Sequence, residues 1–274
     1  MSANMQRLLD VMSRLRNPDG GCPWDLEQNF KTIAPHTVEE TYELVEAIEN
    51  DDLKAIKEEL GDVLFQVIFY AQLGKEAGLF DLESVAGSVA DKMIERHPHV
   101  FGARDAKTSN DVIVNWESDK EAKREAQALR DGRSASVLDG VSVALPASTR
   151  AVKLQKRAAR VGFDWSEIGD VLGKIREEID ELEAEIVAKA DKAFLEDEMG
   201  DVFFALANLA RKLDIDPETA LRHTNKKFER RFRGIEDTLS AQGRTISGAS
   251  LDEMEMIWNR IKVEEKTSVR RAGS

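Results

Sequence analysis

The chain has 274 residues with 52 acidic and 39 basic side chains, and its formal net charge of −13 argues against non-specific binding to nucleic acid. Its single cysteine, Cys22, excludes an internal disulfide and is typical of a reducing compartment. Residues 1–10 lack the apolar core of a signal peptide, and the longest apolar run, 63–73, is about half the ~20 residues that span a bilayer. We therefore expect a cytoplasmic protein that does not bind membranes.

The first half of the chain shows apolar residues at helical spacing. This pattern predicts helices over residues 5–16, 37–48, 53–75, 82–96 and 112–129. Between the first two lies a loop with the sequence Cys22-Pro23-Trp24-Asp25. Its tryptophan either covers the core or stacks on a ligand base, and the sequence leaves both open.

The second half begins after a stretch rich in glycine and serine, residues 131–147, which we interpret as a linker. Helices are predicted over residues 148–160, 166–188, 192–213, 217–239 and 251–266. No alternating strand pattern of useful length occurs, so the predicted fold class is all-α. The length fits two domains of roughly 150 residues, and we place them at residues 1–130 and 148–274.

A carboxylate motif occurs once in each half. The first copy consists of Glu39, Glu40, Glu43, Glu59 and Asp62, and the second of Glu177, Glu178, Glu181, Glu198 and Asp201. Residues three or four apart share a helix face, so two antiparallel neighbouring helices would bring four carboxylates together. Hard cations such as Mg²⁺ prefer that donor set.

Less specific interpretations of the motif remain. Glutamates at this spacing commonly form a solvated helix face, and Thr37-x-x-Glu40 resembles a capping box that would use Glu40 at a helix start. Asp62, however, adjoins the apolar segment 63–70, where an isolated charge would be costly. We therefore expect Asp62 either to pair with a basic side chain or to bind a metal.

The repeat continues beyond the carboxylates with basic and aromatic residues. Lys92, Arg96, Trp116 and Lys120 in the first half match Lys227, Arg231, Trp258 and Lys262 in the second. The basic residues either balance surface acid or neutralise phosphate oxygens, and a tryptophan can stack on a base. The ordered set, present twice, favours a duplicated nucleoside polyphosphate site in which Glu177 or Glu39 could accept a proton from water.

The common alternative phosphate-binding loop is absent. The segment around Gly169, Gly173 and Lys174 is one residue too short for a P-loop, and Ile175 stands where a serine or threonine would bind Mg²⁺.

These motifs carry a family resemblance. Gly21-Cys22-Pro23-Trp24-Asp25, the first carboxylate motif and the run from Arg96 to Phe101 resemble the MazG family of nucleoside triphosphate pyrophosphohydrolases. The second half, with the run from Lys227 to Phe232 and with Trp258, resembles its C-terminal module. The resemblance covers nearly the whole chain.

The resemblance implies two tandem all-α helical-bundle modules in an intertwined homodimer. It also implies Mg²⁺-dependent hydrolysis of NTPs and dNTPs to the monophosphate and pyrophosphate, with broad base tolerance, in nucleotide-pool control. The implied metal ligands of the second module are Glu178, Glu181, Glu198 and Asp201, with Glu177 among the catalytic residues. The implied nucleotide contacts are Lys120, Lys227, Arg231, Trp258 and Lys262.

The family pattern favours the second module as the active one, although the first keeps Glu40, Glu43, Glu59 and Asp62 as candidate metal ligands. One departure is Phe194, which stands where similar proteins often have a lysine, so one phosphate contact is in doubt. The alternative function is a dimeric helical nucleotide-binding regulatory module without turnover.

Overall fold

The computed structural model describes residues 2–102 and 108–272. No β-strand occurs in these ranges, which confirms the all-α prediction. The helices are α1 (Ala3–Leu15), α2 (Pro23–Glu27), α3 (Phe30–Glu49), α4 (Leu53–Glu76), α5 (Leu82–Arg96), α6 (Pro98–Phe101), α7 (Ser109–Arg130), α8 (Ala147–Arg160), α9 (Ile168–Ala188), α10 (Lys192–Lys212), α11 (Pro217–Ser240) and α12 (Leu251–Ala272). Across the described part of the chain, no helix is long and apolar enough to cross a membrane.

The chain divides into two compact units, Met1–Ser118 and Asp119–Ser274. In the first unit, α3 packs against α4, and α1 and α5 pack on α4. Met12, Ile33, Ile68, Phe69 and Leu73 form its buried core. Removing side chains of this size from water contributes about 1.5–3 kcal/mol each, so this core holds α1, α3 and α4 together.

The start of α3 excludes the alternative interpretation of Thr37-x-x-Glu40 as a capping box. Asn29 is the N-cap: its side chain accepts from the backbone N–H of Thr32, whose hydroxyl accepts from the Asn29 N–H. Thr37 lies inside the helix and donates its hydroxyl to the carbonyl of Ile33. The actual capping box starts eight residues earlier in sequence, at Asn29, so Glu40 is not used at a helix start.

The loop predicted around Trp24 is also corrected, because Trp24 lies in the short helix α2, which has proline at its first position. The Trp24 side chain is 51% exposed, and its ring packs edge-on against His36 on α3, with centroids 5.7 Å apart. Trp24 therefore does not cover the buried core.

In the second unit, α9 and α10 pack closely, α8 packs on α10 and α11, and α12 packs on α11. One small core lies between α9 and α10 (Val171, Ile175 and Ala205), and another between α11 and α12 (Ile235, Leu239 and Ile257). The stretch 131–146, within the predicted linker 131–147, contains no helix. It is attached to α8, where Arg157 donates to the carbonyls of Val137 and Asp139.

Candidate metal centre and adjoining cavity

Three carboxylates of the second unit converge between α9 and α10. Glu178 on α9 and Glu198 and Asp201 on α10 each offer one oxygen within 4.8 Å of the others, and we call them the second acid cluster. Glu178 is buried, Glu198 half-buried and Asp201 exposed. Oxygens this close on two helices form a donor set that could hold a divalent cation.

Lys174 lies one turn before Glu178 and contacts the second acid cluster. Its Nζ is 2.8 Å from Glu178 Oε1 and 2.6 Å from Glu177 Oε1. Hydrogen bonds to Glu177 and Glu178 raise the pKa of Lys174, so this side chain stays charged. The P-loop comparison gave Lys174 no role, but its spacing of four residues from Glu178 was the signal in the sequence for this contact.

Glu181, which also belongs to the second copy of the motif, lies beside this cluster, and the pKa values of Glu181 and Glu198 are both shifted. Glu181 is exposed and shares a hydrogen bond with Glu178. This hydrogen bond is the largest cause of the raised pKa of Glu181, and burial and the charge of Glu178 raise that pKa further. Desolvation, followed by the charges of Asp201 and Glu178, raises the pKa of Glu198. A divalent cation would relieve this repulsion, so the donor set fits such an ion.

The first unit contains a matching group. Glu40 and Glu43 on α3 and Glu59 on α4 offer oxygens within 4.8 Å of one another, and we call them the first acid cluster. In place of Lys174 it has His36, whose Nδ1 is 3.6 Å from Glu39 Oε2. That distance is too long for a hydrogen bond.

Repulsion is also present in the first acid cluster. Desolvation and then the charge of Asp62 raise the pKa of Glu40, and desolvation and then the charge of Glu43 raise the pKa of Glu59. Asp62 itself is exposed. Its carboxylate therefore keeps much of its hydration and does not require the base or metal that its sequence position suggested.

A cavity of about 410 Å³ adjoins the second acid cluster, with Glu178, Asp201 and Lys174 in its wall. Its volume lies within the ~300–1,000 Å³ of typical small-molecule pockets. The other lining residues are Leu138, Leu154, Gln155, Ala158, Phe163, Asp164, Trp165, Val171, Phe204, Ala205, Asn208 and Arg211. Gln155 and Asn208 were not predicted as site residues, because no motif in the sequence marks them.

The predicted nucleotide contacts do not line this cavity. Lys227 and Lys262 are exposed on α11 and α12, and Lys120 lies half-buried on α7. Trp258 packs on the core between α11 and α12, with the guanidinium of Arg231 5.3 Å from its ring centroid.

Arg231 is further held by Glu265, whose Oε2 lies 2.8 Å from its Nη2. Phe194, at the position where a lysine was expected, is 59% exposed, and nearby Lys192 pairs with Glu196 at 2.9 Å.

Comparison with known proteins gives one family match and several similar relatives. The model of the MazG nucleotide pyrophosphohydrolase domain matches residues 28–101 and 167–234, which contain the first and the second acid cluster. The chain is 48% identical to the nucleoside triphosphate pyrophosphohydrolase of Escherichia coli K12 over 95% of the chain and 98% of the relative.

It is also 38% identical to the nucleoside triphosphate pyrophosphohydrolase/pyrophosphatase MazG of Thermotoga maritima, over 96% of the chain and 97% of the relative. It is 42% identical to the uncharacterized protein YabN of Bacillus subtilis, over 94% of the chain and 51% of that protein.

Proposed function

Since the chain belongs to the MazG nucleotide pyrophosphohydrolase family, we propose that it hydrolyses nucleoside triphosphates to the monophosphate and pyrophosphate. Water is added across the bond between the α and β phosphates, and both NTPs and dNTPs are substrates. We further propose a cytoplasmic role in nucleotide-pool control.

One observation carries this proposal: Lys174 and two members of the second acid cluster, Glu178 and Asp201, lie in the wall of a cavity of small-molecule size. A triphosphate needs positive charge along its length, and its nucleoside needs a pocket. The cavity beside Glu178 offers the pocket, and Lys174 together with a cation bound at the second acid cluster would supply the positive charge.

We propose Mg²⁺ as the metal, held by Glu178, Glu198 and Asp201 with Glu181 completing the set. Carboxylate oxygens suit this cation, and the mutual repulsion of these groups supports its binding. A bound Mg²⁺ supplies positive charge that neutralises the phosphate oxygens. Glu40, Glu43, Glu59 and Asp62 remain candidate ligands of a second ion.

The chain's own residues then position water and phosphate. Lys174, now bound to Glu177 and Glu178, would donate to a phosphate oxygen of the bound triphosphate. Glu177 is 57% exposed in its side chain, so it can reach water, and we propose that its carboxylate accepts the proton of the attacking water.

We propose that Lys120, Lys227, Arg231, Trp258 and Lys262 contact the nucleotide in a homodimer of tandem modules. Exposed apolar side chains on α10, including Phe203 at 64% and Leu206 at 44%, support burial of that helix against a second copy. The negative net charge supports the absence of nucleic acid among its partners.

Product analysis tests the proposed reaction. The protein is incubated with ATP and Mg²⁺, and the products are separated by anion-exchange chromatography. AMP and pyrophosphate support the proposal, whereas ADP and phosphate would indicate a different enzyme. Binding of ATP without any product would favour a regulatory module instead.

A further inference from the structure

The cavity beside the second acid cluster combines an apolar wall with two buried side-chain amides. We propose that it is a nucleobase subsite in which Gln155 accepts a hydrogen bond from a base N–H and Asn208 donates one to a neighbouring base acceptor. This inference rests on the proposed function, because it takes the phosphates to lie at the acid cluster in the same wall.

Gln155 on α8 has an acceptor that the protein leaves unused. The residue is only 8% exposed, and its Nε2 donates to the carbonyl of Phe204 at 2.8 Å. A carbonyl can only accept, so this bond fixes which way the amide faces. Its Oε1 is buried, and no donor to it occurs in residues 2–102 and 108–272. Buried side-chain acceptors are rarely left unpaired, so this oxygen points to a missing ligand.

Asn208 on α10 supplies the complementary group. It is 4% exposed, and its Oδ1 accepts from Arg211 Nε at 2.9 Å and Nη2 at 2.6 Å. Arg211 in turn pairs with Asp164, so the guanidinium is held in place. A guanidinium only donates, so the Asn208 oxygen must face it and the Asn208 Nδ2 is available as a donor on another side.

An acceptor and a donor in one wall match a feature that all nucleobases share. Adenine and cytosine present an amino group beside a ring nitrogen, and guanine and the pyrimidine carbonyl bases present a ring N–H beside an oxygen. Two amides of this kind bind any of these edges, which agrees with the proposed breadth of base use. Phe163 and Trp165 also line the cavity, and their flat rings are suitable surfaces for base stacking.

The first unit carries neither amide at the matching positions. Aligning Arg7 and Arg14 with Arg150 and Arg157 pairs Met12 with Gln155. Aligning the downstream carboxylates pairs Phe69 with Asn208. Met12 is fully buried and Phe69 is 1% exposed, so the first unit has core packing where the second has a polar cavity wall.

The test compares ATP with purine riboside triphosphate, which lacks the amino group at C6 and is otherwise the same purine nucleotide. For the unmodified protein we expect kcat/KM for ATP to exceed that for the analogue by about 10-fold or more, because the analogue leaves Gln155 Oε1 unpaired. In Gln155→Met, which introduces the first unit's residue, we expect the ratio to fall close to one. Gln242→Met, at an exposed glutamine, should keep the original ratio.

Each outcome decides the inference. Equal kcat/KM values for the two substrates in the unmodified protein, or an unchanged ratio in Gln155→Met, overturn the subsite and leave the proposed hydrolysis intact. If ATP is not hydrolysed at all, the proposed function fails. The dissociation constants of AMP and purine riboside monophosphate from calorimetry then decide the subsite, and equal values overturn it. Should Gln155→Met lose its helical circular dichroism, Gln155→Asn, which retracts the amide by one methylene, replaces it.

Discussion

The two acid clusters carry glutamates at matching positions on paired helices, but they have different surroundings. The second acid cluster has Lys174 within hydrogen-bond distance of Glu178 and a cavity beside it. At the matching places the first unit has His36, Met12 and Phe69, the last two fully packed in its core. Convergent carboxylates alone therefore do not distinguish the units, and the cavity and the lysine identify the second as the proposed catalyst.

Metal removal is expected to have the largest effect. Excess chelator should abolish ATP hydrolysis, because the carboxylates repel one another and the triphosphate without a cation. Added Mg²⁺ should restore turnover, and turnover should depend on the Mg²⁺ concentration in the same way in the unmodified protein and in Glu59→Gln, since the first acid cluster is not needed. Hydrolysis that persists in chelator would contradict the metal assignment, and a shifted Mg²⁺ dependence in Glu59→Gln would assign a role to the first cluster.

Replacing Lys174 is expected to lower activity strongly. Lys174→Met should reduce kcat/KM for ATP by about 10- to 100-fold, which is the worth of one charge-assisted hydrogen bond. The matched change His36→Met in the first unit should alter kcat/KM less than about twofold, because His36 makes no hydrogen bond to its cluster. Equal losses of kcat/KM in the two variants, measured by steady-state kinetics, would mean that Lys174 does not distinguish the second unit from the first.

Exchanging the buried residues of the two units should change stability by different amounts. Met12→Gln buries an amide in a packed core and should lower the free energy of unfolding by about 1–3 kcal/mol. Gln155→Met removes a buried unpaired oxygen but also the hydrogen bond to the Phe204 carbonyl, so the two effects offset and stability should stay unchanged within about 1 kcal/mol. Urea unfolding followed by circular dichroism measures both, and similar destabilisation would show that the cavity wall is packed as tightly as the first core.

The pH dependence of stability is expected to give the smallest effect. Hydrogen bonds from Arg16 outweigh burial and lower the pKa of Glu76 in the first unit. In the second unit, burial raises the pKa of Asp164, but hydrogen bonds from Arg211 and Lys212 lower it by a larger amount. The pKa of Asp164 therefore lies below its ordinary value. A carboxyl group whose pKa is lower in the folded than in the unfolded protein stabilises the fold at pH values above its unfolded-state pKa of about 4. This stabilisation is lost as the pH falls through its folded-state pKa.

The variants Glu76→Gln and Asp164→Asn test this dependence, one in each unit. Each should have a lower melting temperature than the unmodified protein near neutral pH, and the difference should shrink below about pH 4. A difference that stays constant with pH would mean that the ion pairs do not contribute through charge.

Helical periodicity predicted most of the fold, because the spacing of apolar residues in long segments such as α4 and α5 identifies them as helices. It failed at short or interrupted elements. The helix α2 has only five residues, and the start of α3 depends on Asn29, which lies outside the apolar stripe used to find the helix. Capping residues act through single hydrogen bonds and leave little trace in hydropathy.

The carboxylate positions were visible in the sequence because two copies of one motif repeat the same spacing. The cavity was not, since an empty volume depends on how α8, α9 and α10 pack and has no signature in any one segment. Gln155 and Asn208 look like ordinary polar residues in amphipathic helices. Only their burial, at 8% and 4% exposure, distinguishes them.

The most direct test of the central claim is ATP turnover by Glu198→Gln beside Glu59→Gln, with folding verified by circular dichroism. These variants remove one carboxylate charge from matching positions of the two clusters. We expect Glu198→Gln to lose at least about 100-fold in kcat, as when a preorganised charge-stabilising group is removed. Glu59→Gln should retain activity within about twofold. Full turnover by Glu198→Gln, or an equal loss in Glu59→Gln, would contradict hydrolysis at the second acid cluster alone.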